Sequence, residues 1–291
     1  MNNIISRKIE LGTAQLGFTY GIANRNRKIK LRDVNKILDK AKNSNIKFFD
    51  TAKVYGKSEE FLGKSKIKKS NITSKIQINL KLKKIENHIN SMTNDSLKKL
   101  KIKKLYGLLV HNSECLLTNK GQKIYNTLNQ LKRDGKIKKL GISAYSINQV
   151  RTIIKKFQID LVSFPLNIFD NRLLKSGLLK ILKKKKIKVH IRSVFLQGLL
   201  LMKSERRPKK FNKWNSIFKK WDNLVKDSNK TPLFLCLLFV LKNPHIDKVT
   251  IGVDSINQLN EIINTIKIIK KNPKIKFNFK YQSRLSDPRK W

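Results

Sequence analysis

Eight apolar, strand-like runs alternate with helix-like segments along this chain, and that alternation limits its fold more than any other feature. The runs are Ile9–Thr13, Ile46–Asp50, Ile72–Ile78, Leu105–His111, Lys138–Ser143, Asp160–Leu166, Ile187–Ser193 and Lys248–Gly252. Between them, apolar residues recur with helical periodicity over Leu31–Ser44, Ile85–Leu100, Lys120–Asp134, Ile147–Phe157, Leu173–Lys184 and Ile256–Lys270. Continuously apolar strands joined by helical crossovers make a parallel sheet covered on both faces. Eight such units in 291 residues predict an α/β fold of the (β/α)8 TIM-barrel type rather than an open doubly wound sheet. No Pro-, Gly- or Ser-rich linker divides the chain, so residues 1–291 read as one barrel domain.

Smaller signals fit this frame. Ser146 and Ser255 stand where N-caps of the fifth and last helices are expected. The apolar run Leu233–Leu241 is too short to cross a bilayer and reads as a buried helix. The stretch Gly198–Lys230 reads as a long loop carrying an inserted helix on the functional face. The tail Tyr281–Trp291 is expected to pack back on the barrel mouth.

The net charge of +47 raises the question of a polyanion partner. Arg supplies 12 of the 66 basic residues and Lys the other 54, whereas phosphate and base-edge recognition favour the planar Arg fork. The lysines are interleaved with Ile and Asn along the whole chain, as in Lys98-Lys99-Leu100-Lys101-Ile102-Lys103-Lys104. That pattern is what an AT-rich coding bias produces, and no specific nucleic-acid partner is expected. The two cysteines, Cys115 and Cys236, have no metal-ligand spacing. With no secretory leader at Met1, a reducing cytoplasm is the expected location.

Functional side chains of a parallel barrel sit at the carboxyl ends of its strands. There the chain places Asp50 and Tyr55 after the second strand, Lys75 within the third and His111 closing the fourth. Each has an ordinary explanation by itself: a helix cap, a turn aromatic, one of 54 lysines, a structural histidine. Together they are the types that carbonyl reduction needs. Hydride arriving at carbon builds negative charge on oxygen, so an acid must supply a proton and a donor must stabilise the oxyanion. Tyr55 is the candidate acid, and a neighbouring Lys75 ammonium is expected to lower its pKa. Asp50 would hold Lys75, and His111 would orient the carbonyl.

The stretch Phe49-Asp50-Thr51-Ala52-Lys53-Val54-Tyr55-Gly56 resembles a signature of the aldo-keto reductases, and the likeness covers nearly the whole chain. It implies a (β/α)8 barrel that uses NADP or NAD to interconvert a small-molecule carbonyl and its alcohol. Asp50, Tyr55, Lys75 and His111 fall on that family's catalytic tetrad. The resemblance further implies cofactor contacts from Gly12 and Thr13 in Leu11-Gly12-Thr13-Ala14-Gln15-Leu16-Gly17, and from Ser143 in Leu140-Gly141-Ile142-Ser143. It also implies Ser193 and Gly198 around Phe195-Leu196-Gln197, and Gly252, Ser255 and Gln258 after the eighth strand. Gly-Thr-Ala-Gln near the start and the tail Asp287-Pro288-Arg289-Lys290-Trp291 resemble bacterial members from surface-sugar biosynthesis clusters, implying a sugar-derived substrate.

The chain departs from the family pattern at four places. Ala144 follows the fifth-strand Ser where Asn is frequent, and Ser163 replaces a carboxamide-binding Gln. Arg192 stands where many members stack a ring on nicotinamide. Gln258 replaces a frequent 2′-phosphate-binding Arg, with Asp254 close by. An acid there favours NAD and the abundant lysines favour NADP, so both cofactors remain open. No metal is expected, and the absence of a metal-ligand cluster from the sequence disfavours a barrel isomerase or lyase without cofactor. The remaining alternative is a catalytically weak barrel kept as a basic polyanion-binding or regulatory module. A monomer or weak homo-oligomer without membrane attachment is expected.

Overall fold

The computed structural model describes residues 7–23, 29–65, 67, 70–269 and 275–291. In it eight parallel strands close into a barrel in chain order. They are β1 (Ile9–Gly12), β2 (Phe48–Asp50), β3 (Asn71–Ile76), β4 (Leu105–Val110), β5 (Ile137–Ser143), β6 (Leu161–Pro165), β7 (Lys188–Arg192) and β8 (Lys248–Gly252). The barrel closes where β1 pairs with β8, Ile9 opposite Val249 and Gly12 opposite Gly252. The expected (β/α)8 barrel is therefore the fold observed. Each strand lies where an apolar run was expected.

The described helices longer than a single turn are α1 (Leu31–Asn43), α2 (Ser58–Lys64), α3 (Ile85–Leu100), α4 (Gly121–Arg133), α5 (Ile147–Lys156), α6 (Leu178–Lys184), α7 (Asn215–Asp227), α8 (Pro232–Leu241) and α9 (Ile256–Ile268). Their apolar stripes bind them to the barrel. In α1 the buried residues Val34, Ile37, Leu38 and Ala41 share one face. Ser146 and Ser255 are N-caps as expected, accepting from the Gln149 and Gln258 backbone N–H groups at 3.4 and 3.2 Å. The expected helix over Leu173–Lys184 is instead a single turn at Arg172–Lys175 followed by α6. Gly177 between them takes φ +71°, the left-handed conformation that ends a helix. Lys270, the expected end of α9, and Met1 lie outside the described residues.

Two further segments shape the mouth. Gly198–Lys230 runs through short 3-10 turns into α7, and α7 buries Trp221, whose Nε1 donates to the Leu200 carbonyl at 3.1 Å. The tail lies against this insert: the Trp291 ring meets Phe211 edge to face at 5.0 Å. Phe277 packs on Phe239 of α8, a helix that is apolar on all sides. None of the described helices is long and apolar enough to cross a membrane.

The barrel interior is not uniformly apolar. One layer below the strand ends, Glu10 of β1 accepts from Thr250 Oγ1 at 2.6 Å and lies 3.1 Å from Nδ1 of His190. Glu10 and His190 are buried. Such layers are usually filled by branched aliphatic residues, so this barrel carries a polar plug beneath its mouth.

Candidate active site

The chain leaves β2 at Asp50 and turns sharply back on itself. The Tyr55 N–H donates to the Ala52 carbonyl at 2.9 Å, and the Ser58 N–H to the Tyr55 carbonyl at 3.1 Å. Two glycines make the turn possible. A Cβ on Gly17 would sit 1.7 Å from the Tyr55 carbonyl oxygen, so no side chain fits where the β1 loop crosses. Gly56 takes φ +55° against the Gly17 carbonyl. Hydroxyls lock the layers together: Ser58 Oγ donates to Thr13 Oγ1 at 2.6 Å, and Thr13 Oγ1 donates to the Asp50 carbonyl at 2.9 Å.

This packing delivers four side chains to one point. Lys75 Nζ donates to Asp50 Oδ2 at 2.6 Å, to the Thr51 carbonyl at 2.9 Å and to the Tyr55 hydroxyl at 3.4 Å. The His111 ring stands across from Tyr55, edge to face, with centroids 6.4 Å apart. The strands set these positions, since Lys75 of β3 pairs with Leu109 of β4, two residues before His111.

Electrostatics divide the labour. Burial opposes the Lys75 charge, but Asp50, the Tyr55 oxygen and Glu10 more than offset it and hold Lys75 above its ordinary value. Burial pushes the Asp50 carboxyl up against the pull of Lys75. Burial also lifts the Tyr55 phenol above its ordinary value, with Lys75 pulling the other way and Asp50 adding to the rise. The expected lowering by Lys75 is present, but desolvation outweighs it and the net shift is upward. The phenol holds its proton at neutral pH. His111 is pushed down to about 4 by burial, Lys75 and Arg192, so it is a neutral imidazole there.

The four residues open into a cavity of about 1110 Å³ at the carboxyl ends of the strands. Gly12, Thr13, Ser143, Ser193, Gly198, Gly252 and Gln258 line it as well. Ser255 is not on the wall, and its hydroxyl caps α9. Thr13 is fully buried, with its hydroxyl committed to Asp50 and Ser58. The loop after β7 is conformationally costly: Ser193, Leu196, Gln197 and Gly198 all take positive φ. Left-handed non-glycine residues gathered in one loop mark a segment shaped for a task beyond packing.

A model of the aldo/keto reductase family matches residues 8–275. The chain belongs to the aldo/keto reductase family. Among solved structures it is similar to an aldo-keto reductase from Bacillus halodurans in its holo form, at 18% identity and TM-score 0.72, covering 89% of this chain and 86% of that one. It is also similar to the glycerol dehydrogenase of Gluconobacter oxydans, at 21% identity and TM-score 0.67, covering 93% and 94%. At these identities the likeness concerns the fold. No curated protein sequence matches significantly.

Within this aldo/keto reductase, the departures from the family pattern have physical addresses. Ser163 is buried in β6 and does not line the cavity. Arg192 does line it, and its guanidinium donates to the Ala144 carbonyl at 3.1 Å and to Ser143 Oγ at 3.4 Å. Asp254 and Glu261 line the end beside Gln258. Three features escaped the sequence. Tyr145 carries two guanidinium groups, those of Arg192 and Arg289, at 4.1 and 3.6 Å from its ring centre. Arg172 donates to the Tyr145 carbonyl at 2.9 Å. Glu10, beneath the site, adds its charge to that of Asp50 on Lys75. The two glycines at Gly17 and Gly56 were the available signal for a close crossing; nothing comparable announced Tyr145 or Glu10.

Proposed function

We propose that this aldo/keto reductase reduces an aldehyde or ketone, of a sugar-derived kind, with a nicotinamide dinucleotide as the source of hydride. The observation that carries this reading is the Lys75 ammonium, bonded at once to Asp50 at 2.6 Å and to the Tyr55 hydroxyl at 3.4 Å on a cavity wall. Tyr55 donates its phenolic proton to the carbonyl oxygen as negative charge grows there. Lys75 then stabilises the phenolate that remains, and Asp50 holds Lys75 in position. His111, neutral at physiological pH, donates a hydrogen bond to the same oxygen and orients the carbonyl.

The wall suits a dinucleotide. Asp254 Oδ1 is buried with no hydrogen-bond partner, an acceptor ready for a ribose hydroxyl, and its own N–H is bonded to Gln258 Oε1 at 2.8 Å. Ser143, Ser193, Gly198 and Gln258 would hold the rest of the cofactor, which when bound supplies hydride to the carbonyl carbon. Asp254 and Glu261 beside Gln258 make that end acidic, so NADH is the cofactor that fits, because a 2′-phosphate there meets like charge. Gln149 on the cavity wall offers hydrogen bonds to sugar hydroxyls, whereas the Asn112 amide is held by the Ile78 backbone at 2.8 and 2.9 Å.

Titrating NADH and NADPH separately, by quenching of tryptophan fluorescence, tests the cofactor. Screening carbonyls with the tighter one tests the reaction. Tyr55→Phe is expected to abolish turnover and retain cofactor binding; a fully active Tyr55→Phe protein would sink the assignment.

A further inference from the structure

Among the described residues three arginines line the cavity, and they are not equivalent. Arg172 is paired in bidentate fashion with Asp170, at 2.8 Å from both Nε and Nη2. Arg289 is paired likewise with Asp287, at 2.8 and 2.7 Å. Arg192 has no carboxylate partner among the described residues. Its two hydrogen bonds, to the Ala144 carbonyl and Ser143 Oγ, both leave from Nη2. A guanidinium has five N–H donors, so Nε and Nη1 remain to serve a ligand.

The placement is selective. Among the described residues only two lysines, Lys75 and Lys290, line the cavity, against three arginines, although the chain holds 54 lysines and 12 arginines. In a chain whose default base is lysine, arginine is concentrated where a planar fork is needed, and that fork matches carboxylate and phosphate geometry. Tyr145 fixes the fork by stacking at 4.1 Å from its ring centre. The Arg192 charge also reaches His111 and Tyr55, the two groups that would hold the carbonyl oxygen.

We propose that the carbonyl substrate is an anion, bearing a carboxylate or phosphate close to its carbonyl carbon, and that Arg192 is the residue that selects it. This rests on the reductase reading and adds the substrate's charge to it. Arg192 thereby takes a role on the substrate side of the site, not that of a platform for nicotinamide.

The test compares matched carbonyls under NADH or NADPH, whichever supports turnover: succinic semialdehyde against butanal, and glyceraldehyde 3-phosphate against glyceraldehyde. At least one charged member is expected to exceed its neutral partner in kcat/KM by about tenfold to a hundredfold, as charge-assisted hydrogen bonds warrant. The two arms tell carboxylate from phosphate. Arg192→Gln is expected to bring the favoured ratio close to one, and Arg192→Lys to lower it partway; the second serves if the first does not fold. A cofactor-free measurement runs beside this: succinate and inorganic phosphate, against sodium chloride at equal ionic strength, are expected to raise the Tm of the wild type and not of Arg192→Gln. Ratios near one in both arms overturn the proposal while leaving the reductase reading intact. So does a ratio unchanged in Arg192→Gln with a weakened cofactor KM, which would make Arg192 a cofactor platform. If no carbonyl is reduced, the reductase reading fails, and the anion-induced Tm shift alone decides whether Arg192 binds anions.

Discussion

The barrel interior holds two buried carboxylate pairs one layer apart, Asp50 with Lys75 and Glu10 with His190, and they differ in where the partner's remaining polar atoms go. In the upper pair, Lys75 is bonded to Asp50 and still reaches the Tyr55 hydroxyl on the cavity wall. In the lower pair, Glu10 takes both Thr250 and His190, and Nε2 of His190 ends without a partner in a sealed interior. Burial is nearly equal: Lys75 is 1% exposed and His190 2%. What separates a proton-handling pair from an architectural one is therefore the outlet, not the depth. The upper pair communicates with a group that can meet substrate, and the lower one acts only as a fixed charge under Lys75.

The largest expected effects break the upper pair. Tyr55→Phe and Lys75→Met are expected to lower kcat by about 10²-fold to 10⁴-fold, the usual worth of a positioned acid, with unfolding in urea little changed for Tyr55→Phe. The lower pair should respond in the opposite sense. Glu10→Ala leaves the buried His190 and Thr250 without their hydrogen-bond partner and is expected to cost about 1–3 kcal/mol of stability in urea unfolding, while the folded fraction keeps its turnover. The double variant Glu10→Met with His190→Leu should regain much of that loss, because an apolar pair of similar volume needs no partner. Large activity loss in folded Glu10→Met/His190→Leu would show that the lower pair acts in catalysis and would erase the distinction.

Gly17→Ala sharpens the comparison from outside. Its Cβ would push on the Tyr55 carbonyl, so it is expected to destabilise by about 1–3 kcal/mol and to lower kcat by displacing the phenol. The smallest effects are those of pH. His111 titrates near 4 when folded against 6.5 ordinarily, so the unfolded chain binds the extra proton between those values. Stability then falls as pH drops from about 6.5 toward 4. His111→Gln should show a shallower acid loss in urea midpoints measured across that window. The raised Tyr55 pKa works at the other extreme: the phenol stays loaded, so the reduction rate should decline only above the ordinary phenol range near 10.

Much of the fold could be read from local pattern, because β-strand and helix periodicities are local properties. Asp50, Tyr55, Lys75 and His111 could be grouped for a related reason: each lies at or within a few residues of the carboxyl end of a strand, and barrel closure brings successive strand ends together. The lower pair was not, because Glu10, His190 and Thr250 come from three strands up to 240 positions apart, and each looks like an ordinary strand residue. The break at Gly177 was missed because the apolar spacing runs through it. The direction of the Tyr55 shift depends on a balance between desolvation and the Lys75 charge, and that balance is a property of depth, not of residue type. Whether Ser255 faces the cavity or caps α9 likewise depends on one side-chain rotation.

The pairing of β1 with β8 has a consequence for how the protein is made. Ile9 cannot find Val249 until the ribosome has delivered the last strand. At about 5–20 residues per second this leaves many seconds in which the nascent sheet has two open edges. Those edges are flanked by Arg7 and Lys8 beside β1 and begin with Lys188 on β7. Charged side chains at a sheet edge discourage it from pairing with a neighbouring chain. By that rule a variant with these three edge bases neutralised is expected to aggregate during translation before it loses any stability once closed.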